Sequence, residues 1–564
     1  MILQELKQEK EAPEFLTEEG FATMQSGYLL KNETPKDAYK RVAKAAASYY
    51  TNNSYWEKKF FDIIWNNWLC LSSPILSNLG TERGLPISCN SIHCDDNLDN
   101  IFKKSHELAM LSKKGAGVGI YIGDLRARGV SITGNGQSEG IVPWCKIYDT
   151  TAMSVSQGST RRGAAAVYLP VEHGDIEEFL QIRKPIGDMN RRCLNLHQGV
   201  CISDNWMNDM LKGDESKRKI WTEILSTRSM TGEPYLFFTD AINNNNPECY
   251  KKNNLSVKTS NICSEIVLHT DPDHSFVCCL SSLNLMRWDE WKDTDTVEIS
   301  VRFLDAVLSE YIKKSENIPG FEPSRNSAIK GRAIGIGVLG WHSLLQSKIL
   351  AFDSFDSMML NATIFKTIRE KANKETQVLA KELGEPEWCK GFGIRNTHLL
   401  AIAPTVSNSI ISGGYSAGIE PIAANIFSQK TAKGTFIKKN ELLVKLLKNY
   451  NKDNIDTWKS INEQSGSVQH LSFITNQEKL TFLTAREINQ FSIIKQASQR
   501  QKYIDQSQSV NLFFGVNSSP KYIHEVHISA WQEGLKTLYY YRTEGVIKGD
   551  MASRSKDECA SCEG

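Results

Sequence analysis

The sequence predicts an α/β protein, and three observations carry that expectation. Short apolar runs recur at 117–122 (GVGIYI), 164–169 (AAAVYL), 333–339 (AIGIGVL) and 399–403 (LLAIA), each the length of a buried strand. Helical patterns stand between them, and strands that alternate with helices favour an α/β architecture over an all-α one. The composition, 40% hydrophobic and 23% charged over 564 residues, is that of a globular protein with enough chain to bury a large core without disulfides.

Near the N-terminus, Thr34-Pro35-Lys36-Asp37 has the chemistry of a helix start. Thr34 can cap, Pro35 fits the first helical position, and Asp37 favours the positive end of the dipole. The Ala-rich stretch KDAYKRVAKAAASYY continues that helix. Farther on, Ile364, Phe365, Ile368, Ala372, Leu379 and Leu383 recur at helical spacing, with Gly384 placed to end the helix. The last segment, Lys548 to Gly564 (KGDMASRSKDECASCEG), is polar, has almost nothing to bury and reads as a mobile tail.

The charge balance is even, with 66 Lys+Arg against 65 Asp+Glu, so no polyelectrolyte signal points to nucleic acid or a membrane surface. The longest apolar stretch, Ala333 to Trp341, falls short of the roughly 20 residues that span a bilayer. The opening MILQELKQEKEAPEF lacks the apolar core of a secretion signal, so a cytoplasmic location is expected. Thiols stay reduced there, so the 13 cysteines, an odd number, are not expected to form a disulfide framework.

Five motifs each admit a functional and a plain reading. Gly335-Ile-Gly337-Val-Leu-Gly340 matches GxGxxG, with Asp353 and Asp356 near the distance of a ribose-binding acid, but a glycine-rich buried strand explains it as well. Cys559-Ala-Ser-Cys562 is half of a zinc site or a dithiol that cycles with a disulfide; the tail offers no further ligands, which favours the redox reading. In an extended backbone Asn261, Cys263 and Glu265 would share one face, as a catalytic thiol flanked by amide and carboxylate or as a solvated polar edge. The run Leu538-Tyr539-Tyr540-Tyr541-Arg542 is strand packing or an electron-carrying tyrosine pair. Pro404-Thr-Val-Ser-Asn-Ser409, after LLAIA, is a phosphate cradle or a plain N-cap.

In their order along the chain these motifs resemble the catalytic (alpha) subunit of class I ribonucleotide reductases. The likeness runs from Gly27-Tyr-Leu-Leu30 to the C-terminus. It takes in Leu85-Pro-Ile-Ser-Cys89, Gly115-Ala-Gly-Val-Gly119, Arg162-Gly-Ala-Ala165, Asn261-Ile-Cys263-Ser-Glu265, Cys278-Cys-Leu-Ser281, Gly418-Ile-Glu-Pro421 and Lys536-Thr-Leu-Tyr-Tyr540.

The resemblance implies a ten-stranded α/β barrel, two antiparallel halves of five parallel strands around a central finger loop. On that plan residues 1–65 form an N-terminal helical region, 66–547 the barrel and 548–564 the redox tail. The expected activity is reduction of ribonucleoside diphosphates to deoxyribonucleotides. The resemblance makes Cys263 the thiyl radical that removes the 3′ hydrogen, Glu265 the general base and Asn261 the holder of the sugar hydroxyl. It makes Cys89 and Cys278 the reducing pair, with Cys278 preferred to its neighbour Cys279 because it stands directly before Cys-Leu-Ser. Cys559 and Cys562 would reset that pair and be recharged by thioredoxin or glutaredoxin.

Tyr539 and Tyr540 match a dyad that relays the radical from a separate small (beta) subunit, so the chain itself is expected to bind no radical cofactor. The dyad also argues against the adenosylcobalamin-dependent class II alternative, which makes its radical in place. Substrate contacts fall on Ser73, Ser88, Thr405, Val406, Ser407 and Asn408. A deoxynucleoside triphosphate or ATP effector falls on Asp96, Asn97, Leu98 and Arg126, with the loop Ser159-Thr-Arg-Arg-Gly163 relaying base identity. A homodimer is expected. The Gly27 segment arrives almost at once, which leaves no room for the N-terminal ATP-binding domain of many relatives, so no dATP shut-off through that domain is expected. A thiol-rich zinc-binding or interaction protein is the rival from another class.

Overall fold

The structure, a computed structural model, describes residues 2–157, 161–431 and 434–543. The N-terminal part is helical: Leu3–Gln8, Glu18–Gln25, Pro35–Ala47 and Asn53–Trp65. The Pro35 helix starts as its sequence predicts. Thr34 accepts from the Asp37 N–H, Asp37 reaches back to the Thr34 N–H, and Ala38, Val42, Ala43 and Ala46 form its buried stripe. The helix that ends at Gly384 runs over Phe355–Leu383.

Seven long barrel strands are labelled in chain order: β1 Cys89–His93, β2 Gly117–Tyr121, β3 Ala164–Pro170, β4 Leu196–Ile202, β5 Tyr235–Phe238, β6 Phe276–Asn284 and β7 Ile334–Leu339. Strands β1 to β5 pair in chain order and all in parallel. Helices such as Leu98–Lys113 and Val142–Ser154 return the chain between them. Strand β6 pairs antiparallel with β1 and parallel with β7, so it opens a second, reversed half.

The second half completes the ring through shorter ladders. The 399–403 run pairs in parallel with β7 through Ile336 N–H to Leu399 O (2.8 Å) and Ala401 N–H to Ile336 O (3.2 Å). Residues 506–509 join that run through Ile402 N–H to Ser507 O (3.1 Å) and Ser509 N–H to Ile402 O (2.9 Å). Residues 510–513 then pair in parallel with 539–542, and Thr537 and Leu538 return antiparallel to β5. Five parallel segments therefore face five others with two antiparallel seams, β1 with β6 and 537–538 with β5.

The 399–403 run is bridged rather than a regular strand. The Asp505 carboxylate accepts both the Leu399 and the Leu400 N–H groups at 2.9 Å and so takes the place of a ladder partner. The GxGxxG glycines lie in β7 and just after it. Strand β7 is buried throughout, and a Cβ on Gly335 would strike Leu280, so the buried-strand reading holds.

Outside the barrel, apolar side chains of the strands and helices form the main core. Inside it, a second cluster gathers Cys89, Tyr168, Tyr235, Ile262, Cys263, Cys278 and Tyr539. Among the described residues no helix is long and apolar enough to cross a membrane.

Candidate active site

A loop enters the barrel between Ser260 and Ile266 and carries Cys263 at its tip. The extended backbone expected for 261–265 is not what forms: residues 262–264 make a tight turn, and Ser264 takes a left-handed φ of 67°. The turn still gathers the polar groups, because it folds Asn261 back so that its Nδ2 donates to Glu265 Oε1 at 2.9 Å. The barrel wall is shaped for this loop. A Cβ on Gly119 would lie 1.8 Å from the Ser260 carbonyl oxygen, and one on Gly117 would lie 2.2 Å from Ile262 Cδ1. The glycines of GAGVG in β2 are therefore the space the loop occupies.

Strands from both halves hold the loop. The Tyr168 hydroxyl of β3 donates to the Asn261 carbonyl at 2.6 Å. Ser509 Oγ donates to the Cys263 carbonyl (2.6 Å) and to Glu265 Oε2 (3.0 Å), and Thr537 Oγ1 donates to the Ser264 carbonyl (2.8 Å). Cys263 and Glu265 are both buried. Burial pushes the Glu265 carboxyl up to about 7, against hydrogen bonds from its own backbone, Asn261 and Ser509. A carboxyl with that pKa can exchange a proton near neutrality.

Cys89 and Cys278 occupy opposite positions on the β1–β6 seam. Directly opposed residues of an antiparallel pair have Cα atoms about 4.5–5.5 Å apart, within the span of about 4.4–6.8 Å that a disulfide bridges. Both face the interior cluster, whereas Cys279 belongs to the outer core. Gln506 Nε2 donates to Cys278 Sγ at 3.3 Å. Ser72, Ser88, Cys89, Cys278 and Leu280 line one small pocket.

The tyrosine run breaks strand alternation. The Tyr540 N–H bonds the Asn511 side chain at 3.0 Å instead of a ladder carbonyl. Both Tyr539 and Tyr540 then pack on the interior cluster, with ring centroids 4.2 Å apart, while Tyr541 joins the outer core and stacks on Phe514. A side-chain hydrogen bond joins Tyr539 to Cys263, and burial raises the Tyr539 phenol well above its ordinary pKa.

The helix Val406–Ile411 follows Thr405, whose φ is 56°. Thr405 does not cap it; its hydroxyl accepts from the Gly418 N–H at 2.7 Å, which ties the Pro404 segment to Gly-Ile-Glu-Pro. Ser407 and Asn408 are buried, and Val406 is exposed. Ser73 is buried and bonds the Tyr28 hydroxyl at 2.9 Å.

Away from the barrel interior, Arg126 Nε pairs with Asp96 Oδ2 at 2.6 Å, Asn97 caps the Leu98–Lys113 helix, and Leu98 is exposed beside them. Ser159 and Thr160 of the candidate relay loop, and Cys559 and Cys562 of the tail, lie outside the described residues.

Sequence reasoning missed Tyr168, Gln506, Ser509 and Tyr235. The Gln506-Ser-Gln-Ser509 stretch looks like a solvated loop, yet all four side chains are buried: Gln506 reaches Cys278, Ser509 the Cys263 carbonyl and Gln508 the Ala497 carbonyl. Tyr235 sits in an apolar strand, and its ring lies 4.8 Å from Tyr539 and 5.2 Å from Tyr540.

Comparison with known proteins supplies the family. Residues 14–84 match the family described as "Ribonucleotide reductase, all-alpha domain", and residues 87–217, 208–388 and 386–541 match "Ribonucleotide reductase, barrel domain". The ribonucleoside-diphosphate reductase large subunit of Invertebrate iridescent virus 3 is 33% identical over 97% of this chain and 98% of its own. The large chain 2 of the Saccharomyces cerevisiae enzyme is 30% identical over 93% of this chain and 69% of its own. The Actinobacillus ureae class Id ribonucleotide reductase alpha subunit superposes with a TM-score of 0.88 at 41% identity, covering 94% of this chain and 98% of that one.

Proposed function

The chain belongs to the ribonucleotide reductase large-subunit family and is a class I ribonucleoside-diphosphate reductase subunit, and on that premise we propose a role for each buried group described above. Cys263 is the radical thiol, and as a thiyl it takes the 3′ hydrogen of the ribose. Glu265, with a carboxyl that titrates near 7, removes the 3′-hydroxyl proton, and Asn261 holds the sugar hydroxyl. Cys89 and Cys278 then supply two electrons. One thiol protonates the leaving 2′-hydroxyl, and the pair closes to a disulfide across the β1–β6 seam.

The observation that carries this reading is the single enclosed constellation of Cys263, Glu265, the opposed thiols and Tyr539. The small subunit supplies the oxidising equivalent, and Tyr540 and Tyr539 pass it to Cys263. The disulfide is reset by the Cys559/Cys562 tail, itself recharged by thioredoxin or glutaredoxin through thiol exchange. Substrate phosphate lies on Ser73, Ser88, Thr405, Val406, Ser407 and Asn408. A deoxynucleoside triphosphate or ATP effector lies near Asp96, Asn97, Leu98 and Arg126. The enzyme acts as a homodimer in the cytoplasm.

The test is reduction of labelled CDP by the full chain with and without a class I small subunit. Deoxycytidine diphosphate should form only when the small subunit is present. Turnover by the isolated chain with adenosylcobalamin would contradict the reading.

A further inference from the structure

Two histidines and a carboxylate converge in the turn that joins the Cys263 loop to β6. The Asp271 N–H closes the turn on the His274 carbonyl at 2.9 Å. Asp271 Oδ1 holds it from inside, accepting the N–H groups of Asp273 and His274 at 2.8 Å each. Its other oxygen, Oδ2, lies 3.0 Å from both His269 Nε2 and His274 Nδ1.

The hydrogen count at His269 decides what this means. Its Nδ1 lies 2.7 Å from the Ser256 carbonyl, which only accepts, so Nδ1 carries a hydrogen and donates it there. A neutral imidazole has one ring hydrogen, so Nε2 then turns a lone pair toward a carboxylate oxygen. Two lone pairs at hydrogen-bond distance need a cation between them, either a proton or a metal ion. His274 is not bound in this way. Its Nδ1–H can donate to Asp271, and in the other tautomer Nδ1 offers a further lone pair at the same point.

The surroundings suit a metal. A bond from the far ring nitrogen to a backbone carbonyl, as His269 makes to Ser256, is how a metal-binding histidine is oriented. Zinc at its usual bond lengths of about 2.0–2.2 Å, in a tetrahedral site, sets ligand atoms about 3.3 Å apart, so the group has to open only by a few tenths of an ångström. Trp388 packs on both rings, with centroids 6.0 Å from His269 and 5.5 Å from His274. His269 is buried, whereas Asp271 and His274 are partly exposed and give an ion a way in.

Two neighbouring cations bear on the choice. Lys104 Nζ donates to the Pro272 carbonyl at 3.1 Å, but its charge is met by Glu107 at 2.9 Å. A second gathering of ligand atoms, His93, Asp95 and Asp124, has Lys258 Nζ 3.4 Å from Asp124, where it competes with an ion.

We propose that His269 Nε2, Asp271 Oδ2 and His274 Nδ1 form a binding site for a divalent ion of the zinc class, with water in the fourth position. Imidazole and carboxylate donors suit zinc. On binding, His274 carries its hydrogen on Nε2, and the proton that otherwise bridges His269 and Asp271 leaves to solvent. The ion pins the connection between the loop that carries Cys263 and the strand that carries Cys278.

The rival is a protonated His269 paired with Asp271 and no affinity for metal. The test uses the full chain with Cys559→Ser and Cys562→Ser, which removes the tail dithiol as a competing ligand. After stripping with chelator and dialysis against micromolar zinc chloride, metal analysis should find about one more zinc per chain than in the same chain with His269→Ala. His274→Gln, a milder change at a partly exposed position, should weaken binding at least about tenfold. Zinc should raise the melting temperature and slow amide exchange over residues 267–275 in the parent chain, and do neither in His274→Gln. If His269→Ala fails to fold, His274→Gln decides. Zinc content and affinity equal in the parent and His274→Gln chains, or no zinc bound by the parent, overturns the proposal.

Discussion

Cys89 and Cys278 stand directly opposite one another where the two halves of the barrel meet antiparallel, while Cys279, the next residue, turns to the outer core. The side-chain period of two along a strand gives the neighbouring thiols different fates.

One turnover without external reductant, in a chain whose tail dithiol is removed by Cys559→Ser and Cys562→Ser, should therefore leave a Cys89–Cys278 disulfide. Peptide mapping by mass spectrometry after a single turnover checks this. Cys278→Ser should stop reduction, whereas Cys279→Ala should cost about 1–2 kcal/mol of stability as a small core truncation and leave the disulfide in place. A Cys89–Cys279 link would refute the assignment.

The Glu265 carboxyl sets an acid limb. It must be ionised to accept a proton, so kcat should rise as pH climbs through about 7 and then level off. Hydrogen bonds to the charged form hold that value down, so Ser509→Ala should move the limb upward by about one pH unit. The stability consequence has the opposite sense. The folded value lies above the unfolded one, so this group's contribution is full below about pH 4 and is lost as pH rises through about 7.

Gly119→Ala should displace the loop that carries Cys263, because the added methyl meets the Ser260 carbonyl with no room to give. A shift of about 1 Å at a reacting group can cost about a hundredfold, and turnover should fall at least that far. Gly515→Ala, where nothing lies within 4 Å and φ is not left-handed, is the control and should change stability by no more than about 0.5 kcal/mol. Equal activity in the two variants would show that the loop does not need this gap.

Much of the architecture is legible in the sequence because local chemistry agrees with the fold. The Thr34-Pro35-Asp37 start, the 364–383 stripe and the apolar runs of β2, β3 and β7 all form where their patterns predict. The closing ladders are not legible. Residues 399–403 give up two N–H groups to Asp505, and 506–509 spell Gln-Ser-Gln-Ser, a buried strand written in polar letters. Those side chains are polar because buried carbonyl groups need donors there: Ser509 serves Cys263, Gln506 serves Ile334 and Gln508 serves Ala497.

The alternation Asn261, Cys263, Glu265 points to the right residues through an extended backbone that does not form. The turn at Ser264 is held by contacts from β3 and from residues 509 and 537, which lie far away in sequence. Tyr235 is invisible for the same reason: it lies in β5, and only the barrel's closure brings it to Tyr539 and Tyr540.

The central claim is that Cys263 carries the reacting radical, and the most direct measurement is CDP reduction by Cys263→Ser in complex with the small subunit. Serine keeps the size and hydrogen bonding of the loop, so the variant should bind substrate nucleotide like the native chain and form no detectable deoxycytidine diphosphate. Full turnover by Cys263→Ser would contradict the account.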